Sequence, residues 1–118
     1  MDNILVIEDD PISQLFLKKF LEKKGYNVDV ADEANEAISK AGGGNYRFAF
    51  VDLVLPGMMN GVEVIKRIRN ILPQSKIIAY SGFSDVDITE KVTHAGADSF
   101  IAKPFNREEL MTVMFADN

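Results

Sequence analysis

Apolar and polar positions along the chain fall into one rhythm repeated five times: a short run of β-branched and aromatic residues, then a longer segment with apolar residues three and four apart. The runs "NILVIE", "NVDVA", "FAFVDL", "KIIAYSG" and "SFIAKP" read as strands. The segments between and after them, "PISQLFLKKFLEKKGY", "EANEAISKAGG", "GVEVIKRIRNILP", "VDITEKVTHAGA" and "NREELMTVMF", read as helices. Spread over 118 residues, this is roughly 24 per strand and helix, close to the least that a crossover unit uses.

Spacing fixes the helix faces. In the first helix Phe16, Leu17, Phe20 and Leu21 share the apolar side while Lys18, Lys19, Glu22 and Lys23 face water; in the second Ala34, Ala37, Ile38 and Ala41 do the same with small residues. The third helix has Ile65, Ile68 and Leu72 and stops at Pro73; the fourth has Ile88, Val92 and Ala95 and stops at Gly96. Asp10 ahead of Pro11 reads as an N-cap followed by proline at the first helical position, and Asn106 with Glu109 three residues on reads as a capping box. The mixed charges of "KRIRN" read as a solvated face, and Gly42 to Gly44 as a loose helix exit. The first and third strands are almost wholly apolar instead of alternating, so helices should cover both of their faces. The predicted fold is α/β, a doubly wound parallel sheet of five strands. Its ligand site should lie beyond the carboxyl ends of the strands, where the winding reverses.

Composition narrows the function classes. At 118 residues and 47% hydrophobic, the chain has material for one core and too little for two, so residues 1–118 are expected to form a single domain. There is no cysteine, which removes disulfides and thiolate metal sites. No apolar run approaches the roughly 20 residues of a membrane span, and "MDN" leads straight into a strand rather than a signal peptide. A cytoplasmic protein without membrane association is the expectation. A net charge of -5 argues against this domain gripping nucleic acid by itself, because phosphate backbones require clustered Lys and Arg.

Within "FAFVDLVLPG" a single carboxylate, Asp52, interrupts an apolar segment, and burying it costs several kcal/mol unless a cation compensates. The other strand ends supply the context: Glu8 and Asp9 after the first, Ser81 at the fourth, Lys103 and Pro104 at the fifth. Three acids on one rim repel each other unless they share a cation. Hard oxygen donors without nearby His or Cys point to Mg²⁺, with Mn²⁺ as an alternative. An Asp beside such a metal is a nucleophile toward phosphorus, while Lys103 and Ser81 offer a charge and a donor for phosphoryl oxygens.

On "VIEDDP" (Val6 to Pro11), "FVDLVLPG" (Phe50 to Gly57), "AYSG" (Ala79 to Gly82) and "FIAKPF" (Phe100 to Phe105), the chain resembles the receiver domains of two-component response regulators over essentially its whole length. The resemblance implies a flavodoxin-like fold with strand order 2-1-3-4-5. It also implies Asp52 as phosphoacceptor, Glu8, Asp9, Asp52 and the backbone carbonyl of Val54 as metal ligands, Lys103 and Ser81 as phosphoryl-binding groups, Ser81 and Phe100 as the switch pair, and a cis bond before Pro104. Its partners would be a histidine kinase or phosphotransfer protein, and a second receiver in a dimer. The chain would be a signalling switch rather than an enzyme.

Two departures stand out against the family pattern. Glu8 replaces the more usual Asp, and its extra methylene implies a water-mediated metal contact; "PGMMNG" has one more residue than the commonest version, implying a reshaped loop. The segment from Asn106 is short for a fifth helix, which suits either a small stand-alone regulator or a receiver cut from a longer protein. Two other readings compete. A Mg²⁺-dependent phosphohydrolase with an aspartyl intermediate would want a second Asp two residues after the nucleophile, where this chain has Val54; a phosphorylation-independent pseudo-receiver has no need of Asp9, Asp52 and Lys103 together. His94 lacks a second imidazole and reads as a surface residue of the fourth helix.

Overall fold

Strand side chains alternate between two faces, and both faces here are apolar because helices lie on each. In a computed structural model, which describes residues 2–55, 60–82 and 86–116, the elements are β1 (Asn3–Ile7), α1 (Pro11–Lys23), β2 (Asn27–Ala31), α2 (Ala34–Gly43), β3 (Phe48–Asp52), α3 (Gly61–Ile71), β4 (Lys76–Ser81), α4 (Val86–Ala95), β5 (Ser99–Ala102) and α5 (Arg107–Phe115). The strands form one parallel sheet in the order β2-β1-β3-β4-β5, as expected. Pro56 to Met59, the heart of the "PGMMNG" loop, lie outside the described residues. No helix among the described residues is long and apolar enough to cross a membrane.

Alternation divides the core into two layers. Leu5, Ile7, Ala49, Val51, Ile77 and Ala79 pack beneath α2, α3 and α4 with Ala37, Ile65, Ile68 and Val92. Ile4, Val6, Phe48, Phe50, Ile78 and Tyr80 pack beneath α1 and α5 with Leu17, Leu21, Leu110 and Met114. Each fully buried Leu, Ile or Phe contributes about 1.5–3 kcal/mol, against roughly 1 kcal/mol for a helix cap, so the two layers hold the fold and the caps set where helices start. The Asp10 carboxylate accepts from Ser13 N–H at 2.8 Å, and Asn106 and Glu109 form the expected reciprocal box. α2 runs into the glycines and is capped at Gly44, and α4 gives way to Gly96 at φ 120°, a conformation that favours glycine.

Two sequence expectations need correction. Phe16 does not join the core of α1: it is 37% exposed, stacked on Phe20 with centroids 6.2 Å apart and leaning on Phe105. A single helix can press only part of a wide apolar stripe onto a sheet, and Phe16 lies at its flank. Arg69 of "KRIRN" is not merely solvated either. Its guanidinium donates to Gly96 O (3.0 and 2.8 Å), to Ser75 O (2.8 Å) and to the Asp98 carboxylate (2.7 Å), tying the end of α3 to the loops that lead into β4 and β5. The planar fork of Arg suits several acceptors at once, which charge counting along the sequence does not reveal.

At the head of α3, Gly61 N–H donates to Leu53 O at 3.2 Å, bringing this helix directly against the chain that leaves β3. A Cβ at Gly61 would stand 2.4 Å from Leu53 Cα and 2.7 Å from Asp52 O, both backbone atoms that cannot swing aside. Gly61→Ala should therefore lower stability by about 1–3 kcal/mol, the range of overpacked sites, despite alanine's better helix propensity of up to about 1 kcal/mol. Urea denaturation checks this; an unchanged midpoint would contradict the close approach.

Candidate functional site

Parallel strands present their carboxyl ends together, and the winding of this sheet reverses between β1 and β3. Ile7 pairs with Val51, and Asp52 with Tyr80, so the residues following β1 meet the ends of β3 and β4. Glu8, Asp9 and Asp52 converge there, each offering a carboxylate oxygen within 4.8 Å of the others. Asp10, one residue on, is spent on capping α1.

The acids differ in their surroundings. Asp9 is exposed, Asp52 is 4% exposed, and Glu8 is fully buried rather than displayed on the rim. One Glu8 oxygen, Oε2, accepts from Asp10 N–H at 3.0 Å. The other, Oε1, accepts from Lys103 Nζ at 3.2 Å and from the Tyr80 hydroxyl at 3.1 Å. Asp52 Oδ1 accepts from Val54 N–H at 3.0 Å, and Oδ2 from Lys103 Nζ at 3.1 Å. Lys103 follows β5 across a cis bond to Pro104, and its own N–H donates to Ser81 O at 2.8 Å. The extra methylene of Glu8 lets its carboxyl reach inward to Tyr80, beyond what its place after β1 suggests.

Burial and like charge act together on these groups. Burial pushes the Glu8 carboxyl above its ordinary value; the Asp10 N–H pulls back, but the neighbouring Asp52 adds to the rise. Burial alone would lower the Lys103 ammonium, yet its hydrogen bond and charge pairing with Asp52, then Glu8, leave it raised. Tyr80 is held well above the usual phenol value by burial and by the charges of Glu8 and Asp52, so it stays a proton donor. The Asp10 carboxyl is lowered by the N–H of Ser13.

The donor set fits a hard divalent cation: three carboxylates within mutual reach, one of them open to water, with Lys103 the one ammonium bonded to two of them among the described residues. Ser81, at the end of β4, is 1% exposed and shares the alternation of Ile77 and Ala79, which pack beneath α2, α3 and α4. Phe100, opposite Ala79 in register, is half-buried against the same layer, so both residues of the expected switch pair address one side of the sheet. His94 is exposed on α4, as read from the sequence. Tyr80 is the site residue that sequence reasoning missed; the one signal was a phenol directly after the aliphatic run "IIA" of β4.

The family model described as the response regulator receiver domain matches residues 4–115. This chain belongs to that family. The receiver is 38% identical over 112 residues to the response regulator ArlR of Staphylococcus haemolyticus, covering 93% of this chain and 49% of the relative. It is 36% identical over 107 residues to a cyclic di-GMP phosphodiesterase of Thermotoga maritima, covering 91% of this chain and 28% of the relative. The chain thus spans less than half the length of these curated relatives. Among solved structures, a response regulator from Burkholderia pseudomallei with a phosphorylated aspartic acid, calcium ion and citrate superposes with a TM-score of 0.92 at 30% identity, covering 98% of this chain and 68% of that one. The response regulator TrrA of Thermotoga maritima, in complex with Mg²⁺ and BeF, superposes with a TM-score of 0.83 at 35% identity, covering 94% of each chain.

The raised Glu8 carboxyl has a consequence for the metal-free receiver. A group whose folded-state value is raised contributes stability that is fully present below its unfolded value and is lost as pH rises through its folded value. Without divalent cations, wild type should therefore gain stability relative to Glu8→Gln as pH falls from neutral into the carboxylate range, and lose that advantage at neutral pH. Thermal unfolding in chelator across this window checks the slope; parallel curves for the two proteins would contradict it.

Proposed function

We propose that this receiver domain, acting as a single unit over residues 1–118, is a cytoplasmic signalling switch. It takes a phosphoryl group onto Asp52 from a histidine kinase or phosphotransfer protein. The observation that carries this reading is the buried Asp52 carboxylate, bonded to Lys103 at 3.1 Å and gathered with Glu8 and Asp9 within 4.8 Å. An aspartate carboxylate is an established type of nucleophile toward a phosphoryl group. A carboxylate oxygen of Asp52 forms the new O–P bond as the P–N bond to the donor imidazole breaks, and that imidazole leaves with its electron pair and takes up a proton.

Asp9 and Asp52 would hold Mg²⁺, or Mn²⁺, directly with the carbonyl of Val54, while Glu8, both of whose oxygens already accept hydrogen bonds, would act through a water. The cation supplies charge for phosphoryl oxygens when bound. Lys103 turns from Asp52 to a phosphoryl oxygen, and Ser81 donates to another. Ser81 moving toward the group vacates space on the side where Phe100 packs, and Phe100 turns inward. That change removes apolar area from the surface of α4, β5 and α5, where a downstream partner or a second receiver docks. A phosphohydrolase is disfavoured by Val54, which supplies no acid two residues after Asp52, and a pseudo-receiver by the intact pairing of Lys103 with Asp52.

Incubation with Mg²⁺ and a small phosphodonor should add one acid-stable, base-labile phosphoryl group by intact mass, and Asp52→Asn should gain none. Equal labelling of that variant would sink the assignment. Asp9→Asn should weaken Mg²⁺ binding far more than Asp10→Asn, because Asp10 is engaged with Ser13; comparable losses in a metal titration would show that the acids are divided otherwise. Ser81→Ala should still be phosphorylated at Asp52, yet show much weaker chemical-shift changes around Phe100 and α4. Changes of wild-type size in the phosphorylated variant would disprove the coupling.

A further inference from the structure

We propose that Tyr80 is a positioning residue that holds both Glu8 and Lys103 in place, the first through its hydroxyl and the second through the face of its ring. This rests on the reading of the site as a phosphoacceptor centre. Tyr80 is the penultimate residue of β4, fully buried, with its ring edge-on to Phe105 at a centroid distance of 5.8 Å. Its hydroxyl is 3.1 Å from Glu8 Oε1, and Lys103 Nζ lies 5.0 Å from the centre of its ring. Lys103 Nζ also bonds the same Glu8 oxygen at 3.2 Å, so the three groups close a triangle with Tyr80 as its rigid side.

Both partners need such a support. Glu8 has one more rotatable bond than an aspartate, and without a fixed donor inside the pocket its carboxylate would sample several orientations. Lys103 ends a flexible four-carbon stem whose ammonium favours an aromatic face when partly withdrawn from water. When Lys103 leaves Asp52 for a phosphoryl oxygen, Glu8 loses part of its cation, and the Tyr80 hydroxyl remains to satisfy Oε1. Ile78, two residues earlier on the same face of β4, shows that an aliphatic residue suits this layer for packing alone, so the phenol does more than fill space.

Tyr80→Phe keeps the ring and removes the hydroxyl, whereas Tyr80→Leu removes both, which separates the two roles within the intact receiver domain. Losing an outer-shell support of a metal site typically costs 10- to 100-fold in affinity, and because Glu8 meets the cation through a water, Tyr80→Phe should weaken Mg²⁺ binding by roughly tenfold, the low end of that range, in a calorimetric or NMR titration. The ring current should place the ε-methylene protons of Lys103 upfield in wild type and Tyr80→Phe, and at their ordinary shift in Tyr80→Leu. Wild-type Mg²⁺ affinity in Tyr80→Phe overturns the hydroxyl's role. An ordinary Lys103 shift in wild type overturns the ring's role, even if Tyr80→Leu does not fold. Neither measurement uses a phosphodonor: absence of labelling in wild type would overturn the phosphoacceptor reading, whereas normal labelling with unchanged Mg²⁺ affinity in Tyr80→Phe overturns the proposal for Tyr80 alone.

Discussion

Everything at the functional end of this sheet depends on one imbalance of charge. Glu8, Asp9 and Asp52 bring three carboxylates together, and Lys103 bonds two of them from a side chain 29% exposed. With all three ionised, one ammonium leaves two negative charges unanswered, a deficit equal to the charge of a divalent cation. At about 4 Å and an effective dielectric of about 20, two like charges repel by about 4 kcal/mol, a large fraction of a domain's whole stability. The apolar layers of the sheet must therefore carry a strained end, and at Glu8, whose carboxyl is raised first by burial, the neighbouring Asp52 adds to that rise.

The fold meets this demand with backbone placement. Parallel pairing puts Asp52 beside Tyr80 and brings the turn after β1 against β3. Gly61 lets α3 start in contact with Leu53 and the Asp52 carbonyl, which pins the chain just after the carboxylate. The Asp10 cap fixes the start of α1 while the N–H of the same residue binds Glu8, so one turn both begins a helix and orients an acid. Far from the site, Arg69 gathers the opposite ends of α3 and β4, so the sheet is braced at both rims.

Most of this was legible in the sequence, for reasons that also explain what was not. Strand ends were readable because each apolar run breaks at a residue that chemistry singles out: Glu8, Asp52, Ser81 or Lys103. Asp10 could be separated from Asp9 because capping before Pro11 is a local rule. Tyr80 was hidden because alternation assigns it to the core, and only lateral register brings its hydroxyl to a residue 72 positions away. Glu8 looked like a rim residue because one-dimensional reading gives a side chain's place along the chain, not its reach. Phe16 and Arg69 failed in opposite directions, one more exposed and one more engaged than helix periodicity alone implies.

The two-residue period of a strand adds a final constraint. Tyr80 and Ser81 are neighbours at the end of β4, so they must face opposite sides of the sheet. Tyr80 lies in the layer beneath α1 and α5 and touches Phe105; Ser81 follows the alternation of Ala79 toward the layer where Phe100 packs. Lys103, bonded to Asp52 and seated over Tyr80, belongs to the first side through its ring contact, while its backbone N–H bond to Ser81 O lies in the plane of the sheet. A displacement of the Lys103 ammonium therefore acts first on the layer beneath α1 and α5. A displacement of the Ser81 side chain acts first on the other, so this strand end can keep a change directed at α4 and β5 distinct from one directed at α1 and α5.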